Sequence, residues 1–304
     1  MEKFEVHILG CGSALPTAHH MPSSQVVNMR DKLFMIDCGE AAQLQMRRSK
    51  LKFSRLSHIF ISHLHGDHCF GLPGLISTFD LLGRTAALHI YSPAGLESVM
   101  RPWLNVFCRG LAYDVVFHEF DDKASQQIYD DRTVSVTTIP LRHRVPCCGF
   151  LFNEKAPLPH IRRDMIDFLK IPYHAINDIK QGADWTDYEG RLWPNAKLVF
   201  PPEPARRYAY CSDTCYLPEL SGQLQGVDLL YHEATFTHDD EKRARETAHT
   251  TALQAATLAR DADVGRLIIG HFSARYVSDG VLLNEAKTVF PRTILANESL
   301  CVKL

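Results

Sequence analysis

The chain has 304 residues, 45% hydrophobic and 22% charged, with a formal net charge of −2. That balance gives ample core for one large domain or two modest ones and excludes a protein that coats nucleic acid by bulk charge, though not a local basic patch. No run approaches the ~18 consecutive apolar residues of a membrane span, and residues 1–7 enter a strand-like pattern instead of a leader peptide, so a cytoplasmic location is expected.

Periodicity predicts a strand at 4–9, a hairpin of 25–29 and 33–36 around Arg30-Asp-Lys32, a helix over 41–48 and a buried strand at 58–61. A helix over 71–82, a strand at 87–91, a helix over 96–107 and strands at 114–120 and 133–139 follow. Between 154 and 204 prolines break up short amphipathic pieces such as 163–169, which suggests an inserted arm. Alternation then resumes with strands at 208–211 and 229–232, a helix over 253–261, a strand at 267–269, a helix over 282–290 and a final strand pair within 293–304. The pattern is that of an α/β layered sandwich with a mixed sheet. The nine cysteines lack framework spacing, so buried reduced thiols are expected.

The stretch Ser62-His-Leu-His-Gly-Asp-His68 carries three imidazoles and a carboxylate directly after a buried strand. Imidazole nitrogen and carboxylate oxygen are the donors that hold divalent zinc and its neighbours. His63 and His65 can point to one side of the turn while Asp67 and His68, past Gly66, face a second point, so one motif hints at two metals. Further donors must arrive from other strand ends. His143, Asp213 and His271 each follow the carboxyl end of a predicted strand, where α/β sheets place their sites. In the same half, His232-Glu-Ala-Thr235 ends a strand and His249-Thr-Thr-Ala-Leu-Gln254 opens a helix, with Thr251 and Gln254 in capping-box register. A histidine just ahead of a helix N-terminus sits where backbone N–H groups attract phosphate. The basic run Arg47-Arg-Ser-Lys-Leu-Lys-Phe-Ser-Arg55 reads by itself as a solvated helix end.

With Asp37 in Ile-Asp-Cys-Gly39, these segments together resemble the metallo-β-lactamase fold and, more narrowly, the ribonuclease Z family of transfer RNA 3′-processing endonucleases. The resemblance spans nearly the whole chain, from Leu9-Gly-Cys-Gly-Ser-Ala-Leu-Pro16 to Phe272-Ser-Ala-Arg-Tyr276. It implies an αββα sandwich, two zinc ions with manganese or iron(II) as possible substitutes, a homodimer, and a substrate-gripping arm at 154–193. By the same resemblance His63, His65 and His143 hold one metal and Asp67, His68 and His271 the other. Asp213 would bridge them and Asp37 would support the cluster from behind. The arm here lacks the Gly-Pro pair usual in bacterial short members, and the loop after Pro16 lacks their Arg-Asn pair.

A phosphodiester resists hydrolysis because its anionic oxygens repel a nucleophile, and two divalent metals answer both that repulsion and the weakness of neutral water. On this reading Asp67 orients the nucleophile and His249, positioned by Glu233, contacts the scissile phosphate and protonates the leaving oxygen. Arg275 binds a neighbouring phosphate, and Arg47, Arg48, Lys50 and Lys52 become a phosphate track beside the cleft. The expected activity is removal of the 3′ trailer from precursor transfer RNA, leaving a 3′-hydroxyl, without membrane association or organic cofactor. The alternatives are a broad zinc phosphodiesterase, a 3′ exoribonuclease of the same fold, and a non-catalytic RNA-binding member; the last predicts missing ligands, and all seven are present.

Overall fold

The computed structural model describes residues 3–15 and 17–304; Met1, Glu2 and Pro16, which closes the motif at 9–16, lie outside the described residues. Strands β1 (Phe4–Gly10), β2 (Ser24–Met29) and β3 (Lys32–Cys38) form an antiparallel meander. Helix α1 (Ala42–Arg48) leads to β4 (Leu56–Phe60), α2 (Gly66–Cys69) and α3 (Leu72–Leu81) to β5 (Leu88–Pro93), and α4 (Leu96–Phe107) to β6 (Val115–Phe120). Strands β3 to β6 are parallel neighbours, each crossover carried by helix, as parallel pairing requires. Strands β7 (Gln127–Asp130), β8 (Val134–Pro140) and β9 (Cys148–Glu154) open a second sheet.

Residues 154–206 form a compact unit of their own. It holds β10 (His160–Ile161), α5 (Arg163–Leu169), α6 (Ala175–Lys180), β11 (Trp185–Thr186), β12 (Leu192–Trp193), α7 (Asn195–Leu198) and β13 (Val199–Phe200). Leu169, Ile171, Ala175, Ile179 and Leu198 are its small core. A charge-assisted pair closes its ends, with Arg206 Nε donating to Glu154 Oε2 at 2.7 Å and Nη2 to Oε1 at 2.8 Å.

The main unit resumes with β14 (Arg207–Cys211), α8 (Leu220–Gln223), β15 (Leu229–Glu233), α9 (Glu241–Thr247), α10 (Ala252–Asp261), β16 (Arg266–Gly270), α11 (Gly280–Val289), β17 (Thr293–Leu295) and β18 (Cys301–Lys303). Two seven-stranded sheets result, ordered β18-β1-β2-β3-β4-β5-β6 and β17-β16-β15-β14-β9-β8-β7. Two sheets are what the expected αββα sandwich requires. One expectation is corrected, since the final strands do not pair with each other: β17 runs beside β16, and β18 returns to β1.

Alternation along the strands explains the layering. In β3, Phe34 and Ile36 enter the core that also holds Phe150, Phe152 and Tyr208 of the opposing sheet. Leu33 and Met35 face the other way, packing with Leu72, Leu75 and Ile76 of α3 and Met100 of α4. A strand buried on both faces reads as continuous hydrophobic sequence, as this one does. All nine cysteines are free, and among the described residues no helix is long and apolar enough to cross a membrane.

At one end of the sandwich His58 stacks on His89 at 5.2 Å between ring centres and meets Tyr129 edge-on at 4.6 Å. Burial, reinforced by His89, lowers the His58 pKa to about 4. The unfolded chain, near 6.5, therefore binds this proton first as pH falls. The stabilisation is complete above about 6.5 and is lost between there and about 4. Calorimetry across that window should show a falling Tm, with a shallower fall in His58→Phe; parallel curves would contradict this account.

Candidate metal centre

The predicted donors converge just beyond the carboxyl ends of strands of both sheets. His63 and His65 lie just past β4, Asp67 and His68 in α2, His143 past β8, Asp213 past β14 and His271 past β16. Two clusters form among them, His63, His65 and His143 with Asp213, and Asp67 with His68 and His271. Asp213 faces both. Its Oδ2 lies 3.6 Å from His63 Nε2 and 3.8 Å from His143 Nε2, while its Oδ1 lies 3.2 Å from Nε2 of both His68 and His271.

The hydrogen bonds behind the cluster determine which ring nitrogen each histidine presents. Asp37 accepts from Ser62 N at 2.7 Å, Ser62 Oγ at 2.9 Å, Tyr210 OH at 2.6 Å and His68 Nδ1 at 2.8 Å. With its hydroxyl proton given to Asp37, Ser62 accepts from His63 Nδ1 at 3.0 Å. His143 Nδ1 donates to the Ala248 carbonyl at 3.0 Å. Thr235 Oγ1 donates to Glu233 Oε2 at 2.6 Å and accepts from His271 Nδ1 at 3.0 Å. Each of these four rings thus carries its proton on Nδ1 and turns the Nε2 lone pair inward, the arrangement that metal-binding histidines need. Nε2 of His68, Nε2 of His271 and Oδ2 of Asp67 are buried without a hydrogen-bond partner. Buried polar atoms are rarely left so, and here the orphans belong to the donor types that hold a divalent cation. The residues present fit a metal.

Backbone geometry marks the same positions. Asp37, Asp213 and His271 have φ of 54°, 55° and 59°, left-handed values that cost a non-glycine residue on the order of 1–3 kcal/mol and concentrate at functional sites. Helices α2 and α3 are held against the end of β3 by a close approach. Gly71 N donates to the Cys38 carbonyl at 2.8 Å, and a Cβ on Gly71 would stand 2.1 Å from the Gly39 carbonyl oxygen. Gly71→Ala should therefore cost about 1–3 kcal/mol in urea titrations and weaken metal retention; full retention with unchanged stability would refute this packing role.

Burial opposes charge on Asp213, but His271, His68 and His63 together hold its carboxyl well below the usual range. His249, between α9 and α10, donates from Nδ1 to Glu233 Oε1 at 2.8 Å. Glu233 also accepts from Thr214 N at 2.7 Å and Thr250 N at 3.1 Å, so with Thr235 it is fixed by four donors. Burial pulls the His249 pKa down, but the Glu233 carboxylate outweighs it and raises the value to about 9. The capping box ahead of α10 forms as its register predicts, with Gln254 N donating to Thr251 Oγ1 at 3.2 Å and Thr251 N to Gln254 Oε1 at 3.1 Å.

An open pocket of about 740 Å³ lies over the cluster, lined by His65, Asp67, His143, Asp213, His249 and His271 and, at its rim, by Arg275. Arg275 rests on the Phe236 ring and pairs with Asp240 at 2.9 Å. Arg144, Arg243 and the exposed ring of Phe70 also line it. Little in the sequence marks them: Arg144 adjoins His143, but Arg243 sits on α9, whose Glu-Lys-Arg-Ala-Arg-Glu-Thr has no apolar stripe. The structure does not bring Arg47, Arg48, Lys50 and Lys52 to the pocket. They are exposed around the end of α1 and the turn before β4, whereas the histidines follow the opposite end of that strand.

Comparison with known proteins accords with this geometry. Residues 4–158 match the family described as Anti-Pycsar protein Apyc1 and residues 182–272 the Beta-lactamase superfamily domain. Ribonuclease Z of Bacteroides thetaiotaomicron is 64% identical over 304 residues, covering 100% of this chain and 96% of the relative. Ribonuclease Z of Porphyromonas gingivalis W83 is 53% identical, covering 100% of both. Among solved structures the short form of human tRNase Z superposes with a TM-score of 0.71 at 25% identity, covering 98% of each chain. Full-length identity at this level, on a fold whose strand ends gather the same histidines and aspartates that carried the resemblance, places the chain in the ribonuclease Z family.

Proposed function

We propose that this protein is a metal-dependent endoribonuclease that removes the 3′ trailer from precursor transfer RNA. The observation that carries the reading is the position of Asp213, whose two oxygens face two separate donor clusters inside a chain of ribonuclease Z sequence. His63, His65 and His143 would hold one zinc ion and Asp67, His68 and His271 a second, with Asp213 shared and manganese or iron(II) as substitutes. Bound there, the metals would supply an acidified water and neutralise phosphoryl oxygens.

The protein's own groups then have defined duties. Asp67 accepts a hydrogen bond from the attacking water and fixes its direction. His249, cationic below about pH 9, faces the scissile phosphate and gives its proton to the leaving ribose oxygen. Glu233 keeps that imidazole oriented and charged. Arg275 holds a flanking phosphate at the rim. The unit at 154–206, which includes the arm expected at 154–193, grips the transfer RNA body, and the protein works as a cytoplasmic homodimer; sedimentation would report the oligomeric state.

The deciding experiment offers metal-loaded protein a precursor transfer RNA with a 3′ trailer and, separately, a chromogenic phosphodiester. A single cut at the trailer junction is expected, far faster than diester turnover. Stepwise trimming, or preference for the small ester, would move the assignment to a 3′ exoribonuclease or a broad phosphodiesterase.

Arg47, Arg48, Lys50 and Lys52 would contact RNA outside the pocket. Neutralising all four should weaken transfer RNA binding and flatten its dependence on salt, since each phosphate contact contributes about one unit to the slope of log affinity against log salt. Diester cleavage should be unchanged. Unaltered RNA affinity would remove these residues from the interface.

A further inference from the structure

The seam between β1 and β18 carries a second kind of donor set. His7 and Cys301 are direct partners across the antiparallel pair, and Glu5 lies two residues from His7 on the same face. That face is the outer one, because Phe4, Val6 and Ile8 alternate into the core while Glu5 and His7 are half-buried and Cys301 is exposed. One donor atom from each of Glu5, His7 and Cys301 falls within 4.8 Å of the others.

The spacing is informative. His7 Nε2 lies 3.5 Å from Glu5 Oε2 and 3.8 Å from Cys301 Sγ. The first is at the far limit of a hydrogen bond and the second is long even for sulfur. Both are close to the ~3.3–3.6 Å edges of a tetrahedron whose bonds are about 2.0–2.1 Å to N and O and 2.3 Å to S. Glu5 is braced as metal-binding carboxylates are, its Oε2 accepting from Asn28 Nδ2 at 3.2 Å. Lys303, 3.9 Å from Glu5 Oε1, opposes a cation, but its side chain is 78% exposed and free to turn away.

We propose that Glu5, His7 and Cys301 form a third divalent-cation site, of zinc type with water as fourth ligand, that ties β18 to β1. Burial lowers the His7 pKa against the pull of Glu5, which leaves the imidazole neutral and its lone pair available. Burial raises the Cys301 thiol, so binding a cation there displaces a proton, as thiolate coordination does. The site lies on a different part of the fold from the His/Asp clusters, and it needs no assumption about the RNA substrate.

Cobalt(II) provides the test. The clusters at the strand ends contain no cysteine, so a thiolate-to-cobalt charge-transfer band reports only a sulfur ligand. Chelator-treated full-length protein titrated with Co²⁺ should bind one equivalent beyond the His/Asp clusters, and that equivalent should carry the band. Cys301→Ser and His7→Gln should each lose the band and the extra equivalent while keeping the visible d–d absorption of the remaining metal. Absence of a thiolate band at saturation would overturn the proposal. So would a band of full intensity in Cys301→Ser, which would move the sulfur ligand to Cys11, near His20 and Glu298.

Discussion

Asp213→Ala should leave precursor cleavage at about a thousandth of the parent rate or less, because a metal centre contributes several kcal/mol of transition-state stabilisation and each 1.36 kcal/mol is tenfold in rate. The size of the effect follows from geometry. Among the described residues Asp213 is the one carboxylate within 4 Å of His63, His68, His143 and His271, so its removal takes an oxygen from each cluster at once. Metal content after gel filtration should fall along with activity. Asp213→Asn, which keeps volume and loses the charge, should retain the fold by circular dichroism and remain defective in metal binding. If Asp213→Ala kept two metals and full activity, the two clusters would have to work independently.

His249→Ala should reduce the rate by about two to four orders of magnitude, the usual worth of a positioned general acid, with the metals still bound. The pH profile separates this role from mere structure. Because the His249 pKa is raised to about 9, the acid is fully protonated at neutrality, and the parent rate should decline only as pH rises through about 9. Glu233 is the largest influence raising it, so in Glu233→Gln the alkaline decline should move to lower pH. A Glu233→Gln enzyme that lost rate equally at every pH would point to a bracing role, since Glu233 also holds Thr214 and Thr250.

Much of this site could be read in the sequence because its candidate donors sit at or just past strand ends, and short β-branched runs followed by His or Asp are visible without coordinates. The motif at 62–68 names four donors in one turn, and His143, Asp213 and His271 each stand past an apolar run. What stayed hidden depends on contacts distant in the chain. Tyr210 reads as a core aromatic, yet its hydroxyl reaches Asp37 across 173 positions. Left-handed φ at three non-glycine residues leaves no mark in composition. Strand β9 has no periodic signature although its Cys-Gly-Phe-Leu-Phe-Asn-Glu is strongly apolar, because buried runs of that length carry no alternation. Adjacency of the basic run to β4 suggests a place beside the cleft, but adjacency does not say which end of a strand is meant.

The pairing of β18 with β1 also sets a timetable. Cys301 is 294 positions beyond His7, so during synthesis at about 5–20 residues per second β1 waits roughly 15 to 60 s for its edge partner. For that interval the nascent chain presents a row of unsatisfied amides, the kind of template that recruits other strands. Glu5 and His7 sit on that row, and polar side chains on an open edge discourage wrong pairings. A ribosome that stops before residue 301 releases a protein with its donor clusters in place and one sheet still unsealed, a product that should be cleared by chaperones and proteases on account of its edge and not its chemistry.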